Sequence, residues 1–304
     1  MTYDVAIIGG GAAGLSAAIY AIRAGMKTAI FEGTGYGGQI NFTYDVDNYL
    51  GFKSITGPEL AEKMRTHVES LGCEFKTESI REIKDATRPL KKLVTRRNVY
   101  EAKTVILATG AKPRKLGVLG EDELSGAGVS YCATCDSAFA KDKVAAVVGG
   151  GNTAFEDAIY LAGVCKKVYI INRSNKFRAA KMLVDKAYSN PKIEIITEHK
   201  TEKIQGNGKV SSLVLAHSIS GKMSVLDVDA VFVAIGRIPE SKLYDGIAKT
   251  ESDGSVICDS NLCIGTEGLY VAGDVRSTPL RQIITAAADG AIAATSAVNY
   301  INSL

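Results

Sequence analysis

Tryptophan is absent from this 304-residue chain, proline occurs six times and histidine only three times. His67, His199 and His217 are scattered, with no Cys/His spacing of the kind that builds a zinc site, so no metal is expected. Long apolar runs are also missing. Val5 to Ile22 carries no charge, but Gly9, Gly10, Gly11 and Gly14 break it, and Asp4 stands where a signal peptide would be basic. Neither a membrane span nor a leader is expected, and the chain reads as cytoplasmic. No charge sign dominates: 36 Lys and Arg face 33 Asp and Glu, for a net +3. The densest basic run, Lys91, Lys92, Arg96 and Arg97, reads as a solvated hairpin, and no nucleic-acid partner is expected.

What is plentiful is glycine, at 31 residues, in a chain whose length suits two domains of ordinary size. Four of the six cysteines, Cys73, Cys165, Cys258 and Cys263, sit in apolar or strand-like surroundings and read as packing residues. The other two form Cys132-Ala133-Thr134-Cys135, followed by Asp136. Two cysteines three apart at a helix start can pass between dithiol and disulfide with little backbone movement. Asp136, beside the second sulfur, is placed to give or take the proton that exchange must move. Half of a zinc site and a pair of buried cysteines are the plainer alternatives, though zinc needs about four ligands and no second pair exists.

Val5 to Ile8 is a short apolar run of the kind found in strands buried on both faces. It runs into Gly9-Gly10-Gly11-Ala12-Ala13-Gly14 and then a helical pattern, which is the dinucleotide fingerprint in its required context. Gly9 makes the turn, Gly11 leaves room for a pyrophosphate, and Gly14 lets helix pack on strand. The next strand, Thr28 to Phe31, ends on Glu32, where a ribose hydroxyl acceptor belongs. A loop from Gly37 through Asp45 to Tyr49 is too long for a simple connection.

The pattern then repeats. Val144 to Val148 leads to Gly149-Gly150-Gly151-Asn152-Thr153-Ala154, a second fingerprint with alanine last, and Val231 to Gly236 echoes Val105 to Gly110. Two nucleotide-binding domains are expected. The strand after the second fingerprint ends without an acid. Asn172, Arg173, Lys176 and Arg178 follow it instead, a cluster suited to a ribose 2′-phosphate. Leu269 to Asp274 is a last strand ending in Gly-Asp, and a small-residue helix runs from Thr285 to Ala297.

Taken together, these motifs closely resemble the low-molecular-weight thioredoxin reductases, from end to end and in the family's order. The resemblance implies an α/β fold of two Rossmann-like domains, the second inserted into the first. Residues 1–114 and 242–304 would bind FAD, and 115–241 would form a pyridine-nucleotide-like domain carrying the redox disulfide. FAD would be held by Gly9, Gly11, Gly14, Glu32, Gly38, Gln39 and Asn48. Asp274, Arg281, Gln282 and Ile283 would complete that set. Gly149, Gly151, Ala154, Arg173 and Arg178 would take NADPH.

The implied reaction carries electrons from NADPH through FAD and the Cys132–Cys135 disulfide to thioredoxin or a thioredoxin-like protein. In the family Cys135 faces the flavin, Cys132 attacks the partner, and Asp136 handles the proton. A homodimer is implied, as is a domain rotation hinged near Lys112–Leu116 and Arg237–Glu240. One departure stands out. The family pattern His-Arg-Arg, followed three residues later by Arg, is here Asn172-Arg173-Ser174 and then Arg178. Relatives that have lost pyridine-nucleotide use take electrons from ferredoxin, which stands as the alternative donor. Relatives that reduce a peroxidase carry extra N-terminal domains, whereas Met1 here lies three residues from the first strand, so that acceptor is not expected. A flavin- or nucleotide-binding thiol switch without turnover is the reading from a different class.

Overall fold

A computed structural model describes residues 2–43 and 46–304; Asp45, expected in the long loop, lies outside the described residues. Strand β1 (Thr2–Ile8) is apolar on both faces and turns sharply into α1 (Ala12–Arg23), and β2 (Thr28–Phe31) is fully buried. Helix α2 (Gly57–Ser70) starts as an isolated helix should: the Thr56 hydroxyl accepts from the Glu59 N–H, the Glu59 carboxylate accepts in return, and Pro58 fixes the first turn. Short strands β3 (Glu74–Lys76), β4 (Glu82–Lys84) and β5 (Lys91–Val94) lead to the long β6 (Val99–Leu107) and to β7 (Ala111–Pro113).

Then come β8 (Val129–Ser130), the single turn α3 (Ala133–Asp136), β9 (Val144–Val148), α4 (Asn152–Ala162) and β10 (Lys167–Ile171). Helix α5 (Lys181–Tyr188) and β11 (Ile193–Ile196) precede a meander of β12 (His199–Gly206), β13 (Val210–His217) and β14 (Met223–Asp227). The chain closes with β15 (Ala230–Val233), β16 (Arg237–Pro239), β17 (Leu269–Val271) and α6 (Ile283–Asn302).

Two compact units result. The first takes in residues up to Phe42, Asn48–Lys112 and Ile238–Leu304; the second takes in Thr43–Asp47 and Pro113–Arg237. In the first unit the parallel order β3-β2-β1-β6 continues to β17, while the start of β6 pairs antiparallel with β5 and so with β4. Alternation along β1 supplies both faces of the core. Val5 and Ile7 join Leu15, Ala18 and Ala294, whereas Ala6 and Ile8 join Phe31, Leu93 and Tyr244. Helices α1 and α6 lie close because Gly290 has no side chain: a Cβ there would stand 2.1 Å from the Ala13 carbonyl oxygen.

The basic run does form a hairpin strand, but Lys91 is not solvated. It shares a face of β5 with buried Leu93, donates to the Lys103 carbonyl at 3.0 Å and lies over the Tyr300 ring. Burial lowers its pKa. Lys92, Arg96 and Arg97 are exposed as expected.

The second unit repeats the plan with a wholly parallel sheet, β11-β10-β9-β15-β8, and the antiparallel meander β12-β13-β14. Phe155, Ala158 and Leu161 of α4 cover one face of that sheet, and Leu213 and Leu215 of the meander cover the other. The strands thus stand in the same order around each fingerprint, the arrangement that leaves a ligand crevice at the carboxyl ends of parallel strands.

Candidate active site

In the second unit β8 delivers the chain directly into the cysteine turn. Cys132 and Cys135 are joined as a disulfide, with Cα atoms 5.3 Å apart. Both are half-buried, and Thr134 Oγ1 lies 3.5 Å from the Cys132 sulfur. Asp136 closes the turn, its N–H bonded to the Cys132 carbonyl at 3.1 Å. The residue that sequence reasoning missed is Ser130. Its buried hydroxyl donates to Asp136 Oδ2 at 2.6 Å and accepts the Cys132 N–H at 3.0 Å. A hydroxyl has one proton to give, and a carboxylate at that distance takes it. Ser130 therefore ties the acid to the backbone of the first cysteine.

Tyr131 is anchored from the other side. Its hydroxyl donates to buried Glu121, which also accepts the Leu116 and Gly117 N–H groups. Burial, with that carboxylate alongside, raises the Tyr131 phenol well above its ordinary range.

Removing the Ser130 hydroxyl should cost one hydrogen bond to a charged group, about 1.5 kcal/mol, or roughly tenfold in a rate that depends on Asp136. Such a bond favours the ionised carboxylate, so its loss raises the pKa of the acid. Ser130→Ala should therefore move the acid limb of the pH–rate profile upward as well as slow turnover. A slower enzyme with an unmoved profile would leave Ser130 a packing role only.

The other cysteines are built differently. Burial pushes the Cys165 thiol up to about 11 and that of Cys73 up to about 12. Among the described residues no group of three His, Cys, Asp or Glu could hold a metal ion. Two histidines scattered in sequence do meet: His199 and His217 face each other across β12 and β13, with ring centroids 5.1 Å apart.

In the first unit two of the three fingerprint glycines are demanded by the backbone. Gly9 has φ +113°, and a Cβ there would meet the Ala108 carbonyl oxygen at 2.3 Å; one on Gly14 would meet the Gly9 oxygen at 1.9 Å. Gly11 is different, because nothing lies within 4 Å of its Cβ position. It caps α1 with no side-chain bond, and the first turn holds no acid, so no side chain there caps the terminal N–H groups. That bare start, beside a self-capped α2, is the cradle a pyrophosphate needs, and the residues fit FAD.

Glu32 reaches the same place from the end of β2, accepting from the Gly10 N–H at 2.9 Å and from the Thr34 N–H and hydroxyl. Gly38 comes within 3.4 Å of the Gly11 Cα, counted from its Cβ position, while Gln39 is exposed in the turn Gly38–Phe42. Gln282 accepts from the Asn48 amide at 3.2 Å and caps α6, whose first residue is Ile283. Arg281 bonds the Asp274 carbonyl and the Ser255 hydroxyl. Not anticipated was the pair of half-buried Arg276 with buried Asp289, bidentate at 2.7 and 2.8 Å, with Asp289 also taking the Gly273 N–H. It fixes the turn just before Asp274.

The second fingerprint is built alike. Gly149 has φ +154°, a Cβ there would meet the Ala234 carbonyl oxygen at 2.3 Å, Ala154 is buried, and Gly151 caps α4 with nothing within 4 Å of its Cβ position and no first-turn acid. Arg173, Lys176 and Arg178 are exposed on the following loop. Asn172 is not among them. It is buried, with its amide turned into the loop. Open space at Gly151 and cations nearby fit a nucleotide that carries an additional phosphate.

A family model described as pyridine nucleotide-disulphide oxidoreductase matches residues 3–290. A thioredoxin reductase from Peptoclostridium acidaminophilum is 44% identical over 99% of this chain and 98% of its own. The crystal structure of a thioredoxin reductase from Streptococcus pyogenes superposes with a TM-score of 0.92 at 42% identity, covering 100% of this chain and 99% of that one. A ferredoxin-flavin thioredoxin reductase from Clostridium acetobutylicum, at 31% identity, covers 100% and 99% with a TM-score of 0.55.

Proposed function

The chain belongs to the pyridine nucleotide-disulphide oxidoreductases, and from that premise we propose that it is a thioredoxin-disulfide reductase using NADPH and FAD. The observation that carries the reading is the Cys132–Cys135 disulfide with Asp136 held beside it, on a fold that repeats a nucleotide cradle. FAD, when bound, supplies the carrier between a nicotinamide and the disulfide. The rest is done by the chain's own groups.

Opening the disulfide takes two electrons and leaves two sulfurs that need up to two protons. Asp136 is the proton-carrying group beside them, oriented by Ser130. Cys132 as thiolate attacks a sulfur of the thioredoxin disulfide, forming a mixed disulfide and releasing the partner's other sulfur as thiolate. Cys135 then attacks Cys132, re-forming the internal disulfide and freeing the partner as a dithiol. No co-reactant is left over.

NADPH is favoured as donor because the second cradle is intact, β10 ends without a carboxylate, and Arg173 and Arg178 stand exposed next to it. The test is anaerobic flavin bleaching by NADPH, NADH and reduced ferredoxin in parallel, followed by addition of thioredoxin disulfide. NADPH should bleach fastest, and thioredoxin should restore the yellow colour. Bleaching by ferredoxin alone would move the protein to the ferredoxin-linked reading, and a flavin that thioredoxin does not reoxidise would remove the activity altogether.

A further inference from the structure

The two cradles differ at one corresponding position. In the first, Glu32 ends the second strand of the sheet and accepts from the N–H of the middle glycine, Gly10. In the second, Asn172 follows the equivalent strand β10 and stands against the equivalent glycine: a Cβ on Gly150 would lie 2.4 Å from Asn172 Oδ1. Its Nδ2 group donates to the Ser174 carbonyl at 2.8 Å and to the Lys176 carbonyl at 3.1 Å. Both partners can only accept, so the amide orientation follows from them. The residue itself is fixed from both sides, its N–H on the Ile196 carbonyl and its carbonyl on the His199 N–H.

The loop that carries the cations is thereby tied to the fingerprint at three points. Asn172 holds its beginning, the Arg178 N–H donates to the Gly150 carbonyl at 2.8 Å, and the Ala180 N–H donates to Asn152 Oδ1 at 2.8 Å. Arg173, Lys176 and Arg178 project from this loop and are exposed.

We propose that Asn172 is the positioning residue that sets the nucleotide preference of the second site. Its neutral amide occupies the place where Glu32 puts a charge in the first, and its two donors curl the loop so that Arg173 and Arg178 face a 2′-phosphate. The inference rests on the reading that this site takes NADPH. A carboxylate at 172 would lose both donors, repel the Ser174 and Lys176 carbonyls, and oppose a second phosphate.

The test is calorimetric binding of 2′,5′-ADP and 5′-ADP to the flavin-loaded protein, which reads the adenosine end without turnover. Wild type should bind 2′,5′-ADP the more tightly. Asn172→Asp should weaken 2′,5′-ADP by about tenfold or more, the loss of at least one charge-assisted contact, and leave 5′-ADP nearly unchanged. Gly150→Ala, whose methyl would displace the amide without changing residue 172, should act in the same direction. Thermal melts identify which variants are folded, and Asn172→Ser serves if the aspartate variant is not. A wild type without preference would overturn the NADPH reading. A preference that survives in a folded residue-172 variant would overturn the role of Asn172 alone.

Discussion

Cys135→Ser should purify yellow, bleach with its electron donor, and reduce no thioredoxin, a loss of turnover to the background of the assay. Cys132→Ser should behave likewise. The two then part in one measurement. With Cys135 gone, the mixed disulfide on Cys132 has no neighbour to resolve it, so thioredoxin should remain covalently attached and visible on a non-reducing gel. With Cys132 gone, the attacking sulfur is missing and no adduct forms. Rescue from elsewhere in the chain is not expected. Cys165 is pushed up to about 11 by burial, so its thiol stays protonated at neutral pH. So does that of Cys73, at about 12, and burial raises Cys258 as well. Substantial turnover in either variant would mean that another thiol carries the electrons. An adduct on the Cys132→Ser protein would reverse the roles given to the two sulfurs.

What could be read from the sequence was whatever repeats locally. Apolar runs of four or five residues ending in glycine announced β1, β9 and the ends of β6 and β15. The glycine spacing placed the turns from β1 into α1 and from β9 into α4, because a tight turn into a helix needs those residues in that order. Interactions across unrelated spacings left no such trace. Ser130 meets Asp136 only because β8 runs into a single helical turn, and no periodicity marks a serine six residues ahead of an acid. Asp289 was visible as one acid within an alanine-rich helix, a signal that an internal partner was needed, but nothing singled out Arg276. Lys91 could have been found by parity, since a residue two before a buried leucine in a strand shares its face. Asn172 was grouped with the cations beside it. Its type, uncharged and suited to bonding nearby backbone, was the clue that it braces the loop instead.

Gly11→Val should fold and yet purify without flavin, whereas Gly14→Val should scarcely fold at all. The two glycines lie three residues apart in one motif, and the structure gives them different reasons to be glycine. At Gly14 a Cβ would press against the Gly9 carbonyl oxygen at 1.9 Å, backbone against backbone, so the helix would have to leave the strand. At Gly11 the backbone is extended, with φ −82° and ψ −171°, a conformation valine adopts without strain, and no protein atom lies within 4 Å of the new Cβ. The side chain instead fills the space in front of the α1 N-terminus, where a pyrophosphate would bond to unpaired N–H groups. Losing two such charge-assisted bonds is worth on the order of 3 kcal/mol, about a hundredfold in affinity for FAD. The absorbance ratio of flavin to protein, read together with a thermal melt, separates the outcomes. Gly151→Val provides the mirror experiment, since Gly151 caps α4 with equally open space ahead of it. That variant should keep its yellow colour and lose nucleotide binding. If Gly151→Val came out colourless while Gly11→Val stayed yellow, FAD would belong to the second cradle and the nicotinamide nucleotide to the first.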